Sequence, residues 1–323
     1  MPDVPLWTDC NQACAFCSNP EGDYREQAEA HSFEAIVERL DRHRSGEDGV
    51  FAKFDGVRDY LTLTGGEPTM HPRFLELLAH IRTRFPGREL RLLSNARRLA
   101  HEPFAREVLA TAGDDFEAGI LLCGPDAAVH ERIAGAPPGA FDQTVRGIEN
   151  LIRLKGPGQH VEIRLVLTAL LLPVLRSTLL FIRDRFPEAD RVTLLFVELE
   201  GRALWRLGEL KVGMAETGRA LDSLYGVLTS LPEVRLCHLP LCALPQRLWP
   251  FAWRTLDPRK VVFKLECRDC PMRPHCVGVH KAYARHTGAA DLHPIPAPRD
   301  LETTGDEYRP IAGGRLPAAG GGR

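Results

Sequence analysis

No stretch of the 323-residue chain approaches the roughly 18–20 consecutive apolar residues that a membrane-spanning helix needs. An excess of one charge is also missing. Forty-one basic and 43 acidic side chains leave a formal net charge of −2, so no long-range pull toward nucleic acid or an anionic membrane is expected. The first residues, MPDVPLWTDC, do not follow the charged-then-apolar order of a secretory signal. No internal repeat of fixed period occurs beyond an alternation of strand and helix patterns. What is left is a composition of 44% hydrophobic and 26% charged residues, enough for a sizeable core in one large or two ordinary domains.

Cysteine is where the chain departs from the ordinary. Its nine cysteines fall at ligand spacings in a chain too long to need disulfide staples, which predicts metal binding in a reducing cytoplasm. The first group, Cys10-x3-Cys14-x2-Cys17, lets one loop aim three sulfurs at one point. Thiolates select soft metal centres, and a cubane held by three of them keeps one iron open to chemistry. A zinc knuckle completed by His31 is the structural alternative. A second group offers Cys242, Cys267, Cys270 and Cys276, with Cys237 as a possible substitute for the first. Four thiolates suit a closed zinc ribbon as well as an iron–sulfur cluster.

Between the two groups, hydrophobic periodicity predicts alternating elements. Strands are expected at 4–8, 59–64, 89–93, 116–123, 161–168 and 191–197. Helices are expected at about 32–44, 72–85, 102–111, 141–155, 174–186 and 214–230, with Ser32 capping the first. Six such units argue for parallel βα architecture, with functional groups at the strand C-termini. The stretch from about residue 294 onward, rich in proline and glycine, is expected to be disordered.

The pair CNQACAFC (10–17) and Gly65-Gly66-Glu67-Pro68, in this order and at this distance, resembles the radical S-adenosylmethionine (radical SAM) superfamily. The resemblance implies an α/β fold, a partial (β/α)6 barrel followed by a small Cys-rich iron–sulfur region. It implies that Cys10, Cys14 and Cys17 hold a [4Fe–4S] cluster whose fourth iron is chelated by SAM. Phe16 would then lie beside the adenine, and Gly65, Gly66 and Glu67 would face the methionyl amine. The residue types agree, because glycine permits close backbone approach and a carboxylate accepts from an ammonium. Ser94 and Asn95 are candidate SAM contacts or a simple turn; Arg132 is a candidate partner for the SAM carboxylate or part of a solvated helix start, and Thr168 is a candidate for the adenine side. His130 and Glu131 fall in a segment similar to a family pattern. Cys123 reads as a small buried hydrophobe, and Glu198 and Glu200 as substrate-facing groups or a surface turn.

Cys267-x2-Cys270-x5-Cys276, after Cys242, resembles the auxiliary-cluster (twitch or SPASM) region of radical SAM maturases. His280 stands where the longer pattern has a further cysteine, which points to one auxiliary [4Fe–4S] cluster. The stretch from Leu239 to Trp253, Lys260, and the Cys-x2-Cys-x5-Cys-Val-Gly run are similar to the His-Xaa-Ser system maturases. This implies a barrel over 1–213, an auxiliary region over 214–293, a precursor-peptide substrate, and reduction by flavodoxin or ferredoxin. The apolar segment Leu239–Trp253 reads as a peptide-binding wall or as plain packing. No leader-binding module is evident before Cys10, which keeps a small-molecule or cofactor-precursor substrate as the alternative.

Overall fold

The computed structural model describes residues 3–19, 28–47, 49–51, 60–298 and 301–312. Eight parallel strands form one sheet in sequence order: β1 (Asp3–Trp7), β2 (Tyr60–Gly65), β3 (Glu89–Ser94), β4 (Phe116–Leu121), β5 (Gln159–Leu167), β6 (Arg191–Phe196), β7 (Glu233–Cys237) and β8 (Ala252–Trp253). Among the described residues β1 pairs with β2 alone and β8 with β7 alone, so the barrel is partial. The helices that cover it are α1 (Phe33–Arg44), α2 (Phe74–Arg84), α3 (Glu102–Ala112), α4 (Ala127–Ala134), α5 (Ala140–Leu154) and α6 (Leu175–Arg185). Ser32 caps α1 as expected, its hydroxyl accepting from the Ala35 amide.

Alternation along each strand sorts the side chains onto two faces. Leu61, Leu63, Leu90, Leu92, Ala118, Ile120, Ile163, Leu165, Val192 and Leu194 are fully buried toward the helices. The alternate positions carry Thr62, Arg91, Glu162, Arg164, Thr193 and Arg235 into the barrel. Their charges are paired there. Glu117 Oε1 forms an ion pair with Arg91 Nε (2.5 Å) and its Oε2 accepts from Arg191, Glu162 pairs with Arg164, and Arg235 Nε lies 2.8 Å from Glu233. Burial alone would raise the Glu162 carboxyl, but the guanidiniums of Arg164, Arg91 and Arg235 outweigh it and hold it low.

The sheet has two strands more than the six anticipated. In β7, EVRLC, inward Glu233 and Arg235 alternate with buried Val234 and Leu236, and β8 has only two residues. The sheet therefore runs past residue 213, where the barrel was expected to end. The helix anticipated at 214–230 is two: Met214–Ser223 and a short turn, Tyr225–Leu228. Part of the segment expected to be disordered is ordered instead. Thr303 bridges Ile311, Tyr308 and Ile311 are buried, and the Arg254 amide donates to the Tyr308 carbonyl (2.8 Å). Residues 299–300 and 313–323 of that segment lie outside the described residues.

The aromatic stretch before β8 is packing. The Trp249 indole donates to the carbonyls of Leu241 and Leu244 (3.0 and 2.9 Å), and Trp253, 6% exposed, lies under the Arg235 guanidinium. A two-stranded antiparallel ribbon, β9 (Val261–Val262) with β10 (Val279–His280), organises the Cys-rich region.

Candidate active site

A cavity of about 650 Å³ runs through the barrel to the C-terminal ends of its strands. Its wall includes Cys10, Cys14, Cys17 and Phe16 from the loop after β1. That loop is held from three sides. Ala13 and Ala15 amides donate to the carbonyls of Ala134 and Ile133 (3.0 and 2.9 Å) at the end of α4. Asn19 Nδ2 donates to the Gly65 carbonyl (2.8 Å), and the Ala203 amide to the Cys17 carbonyl (2.9 Å).

Two glycines make the approach possible. At Gly135, where α4 ends in the left-handed region (φ 55°), a side chain would run into the Ala13 carbonyl; at Gly66 it would run into that of Asp9. At 124–132 the sequence offers a SAM-carboxylate contact or a solvated helix start, and the structure has a helix there. Asp126, whose carboxylate accepts from the Val129 amide (2.9 Å), and Gly135 are the cap pair that could have revealed it.

The three thiols are costly to ionise on their own. Burial pushes Cys10 up to about 12, with Glu67 and the other two cysteines adding to the effect. Cys14 is raised well above its ordinary value, first by its interaction with Cys123 and then by burial, and Cys17 is raised by burial. Three half-buried sulfurs facing one space become favourable thiolates only around a shared cationic centre. This donor set fits an iron–sulfur cluster with one iron left open. His31 does not line the cavity, so the knuckle alternative lacks its fourth ligand there. Asn95 Nδ2 lies 3.9 Å from Cys10 Sγ.

Gly65, Gly66, Glu67, Ser94 and Asn95 all line the same cavity. Glu67 is 1% exposed and joins the ends of β2 and β3. Its Oε1 accepts from the Thr69 amide (3.1 Å), the Thr69 hydroxyl (2.5 Å) and the Ser94 hydroxyl (2.8 Å); its Oε2 accepts from the Asn95 amide (2.8 Å). Burial pushes this carboxyl up, against the bonds from Asn95, Thr69 and Ser94. Glu67 is therefore a clamp between strand ends as well as a cavity group.

Other anticipated residues lie elsewhere. Arg132 is exposed on α4 and does not reach the cavity. Thr168 is fully buried outside it, its hydroxyl accepting from the Leu171 amide (3.2 Å). His130 is fully buried and its Nδ1 accepts from the Cys123 amide (3.2 Å), while Glu131 accepts from the Phe141 amide (3.3 Å). Glu198 lines the cavity and Glu200 does not. Arg202, His238 and Asp257 also line it and were not singled out in the sequence.

Cys242, Cys267, Cys270 and Cys276 surround a second, small hollow, together with Met272 and His293. Cys237 faces the barrel cavity instead, so Cys242 is the cysteine placed with the other three. Burial raises the Cys242 thiol to about 11, with Cys276 next to it adding to the shift.

Residues 4–172, more than half of the chain, match the Radical SAM superfamily. The chain belongs to that superfamily and is an enzyme of the radical SAM class. Among named proteins it is similar to the mycofactocin maturase MftC of Mycobacterium tuberculosis, 30% identical over 161 residues (49% of this chain, 35% of that protein). MftC of Mycobacterium ulcerans is 31% identical over 144 residues, 44% of this chain and 33% of that protein. The matched stretch thus spans about a third of the length of these curated relatives. The fold is shared with Streptococcus suis SuiB bound to S-adenosylmethionine (TM-score 0.55, 17% identity, 76% of this chain and 52% of that one). It is shared too with anSMEcpe bound to AdoMet (TM-score 0.51, 15% identity, 72% and 62%). The family implies a [4Fe–4S] cluster and SAM as cofactors. Among the described residues no helix is long and apolar enough to cross a membrane.

Proposed function

We propose that Cys10, Cys14 and Cys17 hold the [4Fe–4S] cluster and that the enzyme modifies a ribosomally made precursor peptide by C–H abstraction. The observation that carries the reading is the convergence of the three thiols with the Gly65–Glu67 turn on one cavity wall. When bound, cluster and SAM supply reductive cleavage to methionine and a 5′-deoxyadenosyl radical that takes a hydrogen from an unactivated carbon. The protein does the rest. Phe16 offers an apolar ring face beside the cluster loop. Gly66 brings backbone close, and Glu67 Oε2, which accepts only one bond, keeps a lone pair for an ammonium. Ser94 and Asn95 fix that carboxylate, and the barrel wall keeps bulk water from the reacting groups.

A peptide substrate is supported by the proteins it resembles: MftC is a maturase, and SuiB, which shares the fold, is also known bound to its precursor peptide SuiA (TM-score 0.53, 15% identity). A precursor with His-Xaa-Ser character follows from the subgroup resemblance. Cys242, Cys267, Cys270 and Cys276 would hold one auxiliary [4Fe–4S] cluster, and flavodoxin or ferredoxin would be the reductant. Nine unpaired cysteines fit a reducing cytoplasm. The cavity volume favours a second reading, because about 650 Å³ is the size of ordinary small-molecule sites.

The test is anaerobic reconstitution of the full chain and of the Cys10/Cys14/Cys17→Ala triple variant. About eight irons are expected in the first and about four in the second, with deoxyadenosine release abolished. Unchanged iron would remove the cluster assignment, and zinc in the second site would make that site structural. A mass shift of a candidate precursor with SAM and reductant supports the peptide. Deoxyadenosine release stimulated only by a small metabolite favours the alternative.

A further inference from the structure

Where β6 leaves the sheet, Glu198 and Glu200 meet three side chains from much later in the chain: His238 just after β7, Lys260 just before β9, and His280 at the end of β10. His280 is 2% exposed, and its Nε2 makes no hydrogen bond although it lies 3.5 Å from both Glu198 Oε2 and Glu200 Oε1. His238 is 7% exposed; its Nδ1 also makes no hydrogen bond and lies 3.5 Å from Glu198 Oε1. Two buried imidazole nitrogens therefore point at carboxylates from just beyond hydrogen-bonding range.

The spacing has a simple meaning. Two donor atoms about 2.1 Å from one ion, at near-tetrahedral angles, stand about 3.4 Å apart. The ligand atoms of Glu198, Glu200 and His280 all lie within 4.8 Å of one another. Burial lowers both imidazoles, His238 to about 4, and so keeps them in the neutral form that binds metal.

Lys260 is the cation now present. Its Nζ lies 2.8 Å from Glu200 Oε2 and 3.3 Å from Glu198 Oε2, on a long side chain that is 44% exposed and can swing out. One ammonium between two carboxylates leaves a negative charge over. His280 Nδ1 accepts a long 3.3 Å bond from the Ala282 amide, which ligation through Nε2 would give up.

We propose that Glu198, Glu200 and His280, backed by His238, form a binding site for one divalent first-row transition-metal ion, with Lys260 as the cation it displaces. Imidazole and carboxylate without thiolate suit Mn2+, Fe2+ or Zn2+ and set this site apart from the two cysteine groups. Glu198, His238 and Lys260 line the main cavity, so the ion would sit in its wall. It would also tie the exit of β6 to the Cys-rich region.

The probe is Mn2+, a hard ion that thiolates bind weakly, added to the chelator-washed full chain with its clusters reconstituted. Loss of the free-Mn2+ EPR signal reports binding. One Mn2+ per chain is expected, at least threefold tighter in Lys260→Met and at least tenfold weaker in Glu200→Gln and His280→Gln. The Cys10/Cys14/Cys17→Ala variant should bind as the wild type does. Circular dichroism and cluster absorbance check that each variant is folded. If Glu200→Gln and His280→Gln fail that check, the gain in Lys260→Met decides. No stoichiometric binding by wild type and Lys260→Met, or binding indifferent to these substitutions, overturns the proposal.

Discussion

Glu67→Gln separates the two roles of this carboxylate. Three donors converge on Oε1 and one, the Asn95 amide, on Oε2. The glutamine must keep its oxygen where the three converge, which turns its NH2 against the Asn95 N–H. That amide is then buried without an acceptor, at a cost of about 1–3 kcal/mol. At 1.4 kcal/mol per decade, its opening equilibrium rises about 5- to 150-fold. The Thr69 amide keeps its partner and should change little. Hydrogen exchange of the reconstituted protein, read by mass spectrometry on fragments that resolve residues 68–70 from 94–97, measures both. SAM affinity should fall as well, because an amide NH2 replaces the free lone pair. Unaltered exchange at Asn95, or equal acceleration at both sites, would refute the clamp. Slower affinity loss than exchange gain would show that holding the strand ends is the larger role.

Two further outcomes are expected. Cys242→Ala should remove the metal from the C-terminal site, whereas Cys237→Ala should leave its content intact, as metal analysis of the two purified variants would show. His130 is fully buried, with a pKa pushed down to about 4 by burial. The unfolded chain takes up the proton first, so this group's stability is complete above pH 6.5 and lost as pH falls toward 4. The full effect is about 3 kcal/mol, from 1.36 kcal/mol per pKa unit. Thermal unfolding between pH 7 and 4.5 should therefore be less pH-dependent in His130→Asn than in wild type.

The parts of the site legible in the sequence are those whose chemistry demands a local spacing. Cys10, Cys14 and Cys17 line one cavity from one loop, and Gly65–Glu67 ends one strand, so each is written within a few residues. The first six strands were legible because their outward positions are mostly aliphatic. β7 was not, because Glu233 and Arg235 face inward and five residues alternate too briefly to stand out. The cluster of Glu198, Glu200, His238, Lys260 and His280 was invisible for another reason: its members come from the ends of β6 and β7 and from the return of the chain after β8. Arg132 and Thr168 failed for a third. A helix face and a strand end were known, but not which side of α4 turns outward or that the Thr168 hydroxyl is used by Leu171. Leu239–Trp253 had the composition of a binding wall, and burial spends that surface inside the domain.

A sheet that, among the described residues, pairs β1 with β2 alone and β8 with β7 alone has a flank as well as two ends. A closed ring admits a polymer through its mouth, as an end or as a looped segment. An open flank that forms a slit would also let a long chain be laid in sideways, at any residue and without its ends being free. For any chain-like substrate, the position that is modified then depends on local fit along the slit, not on distance from an end. Neighbouring copies of one short motif become equivalent targets, reached by re-laying the same strand one step along.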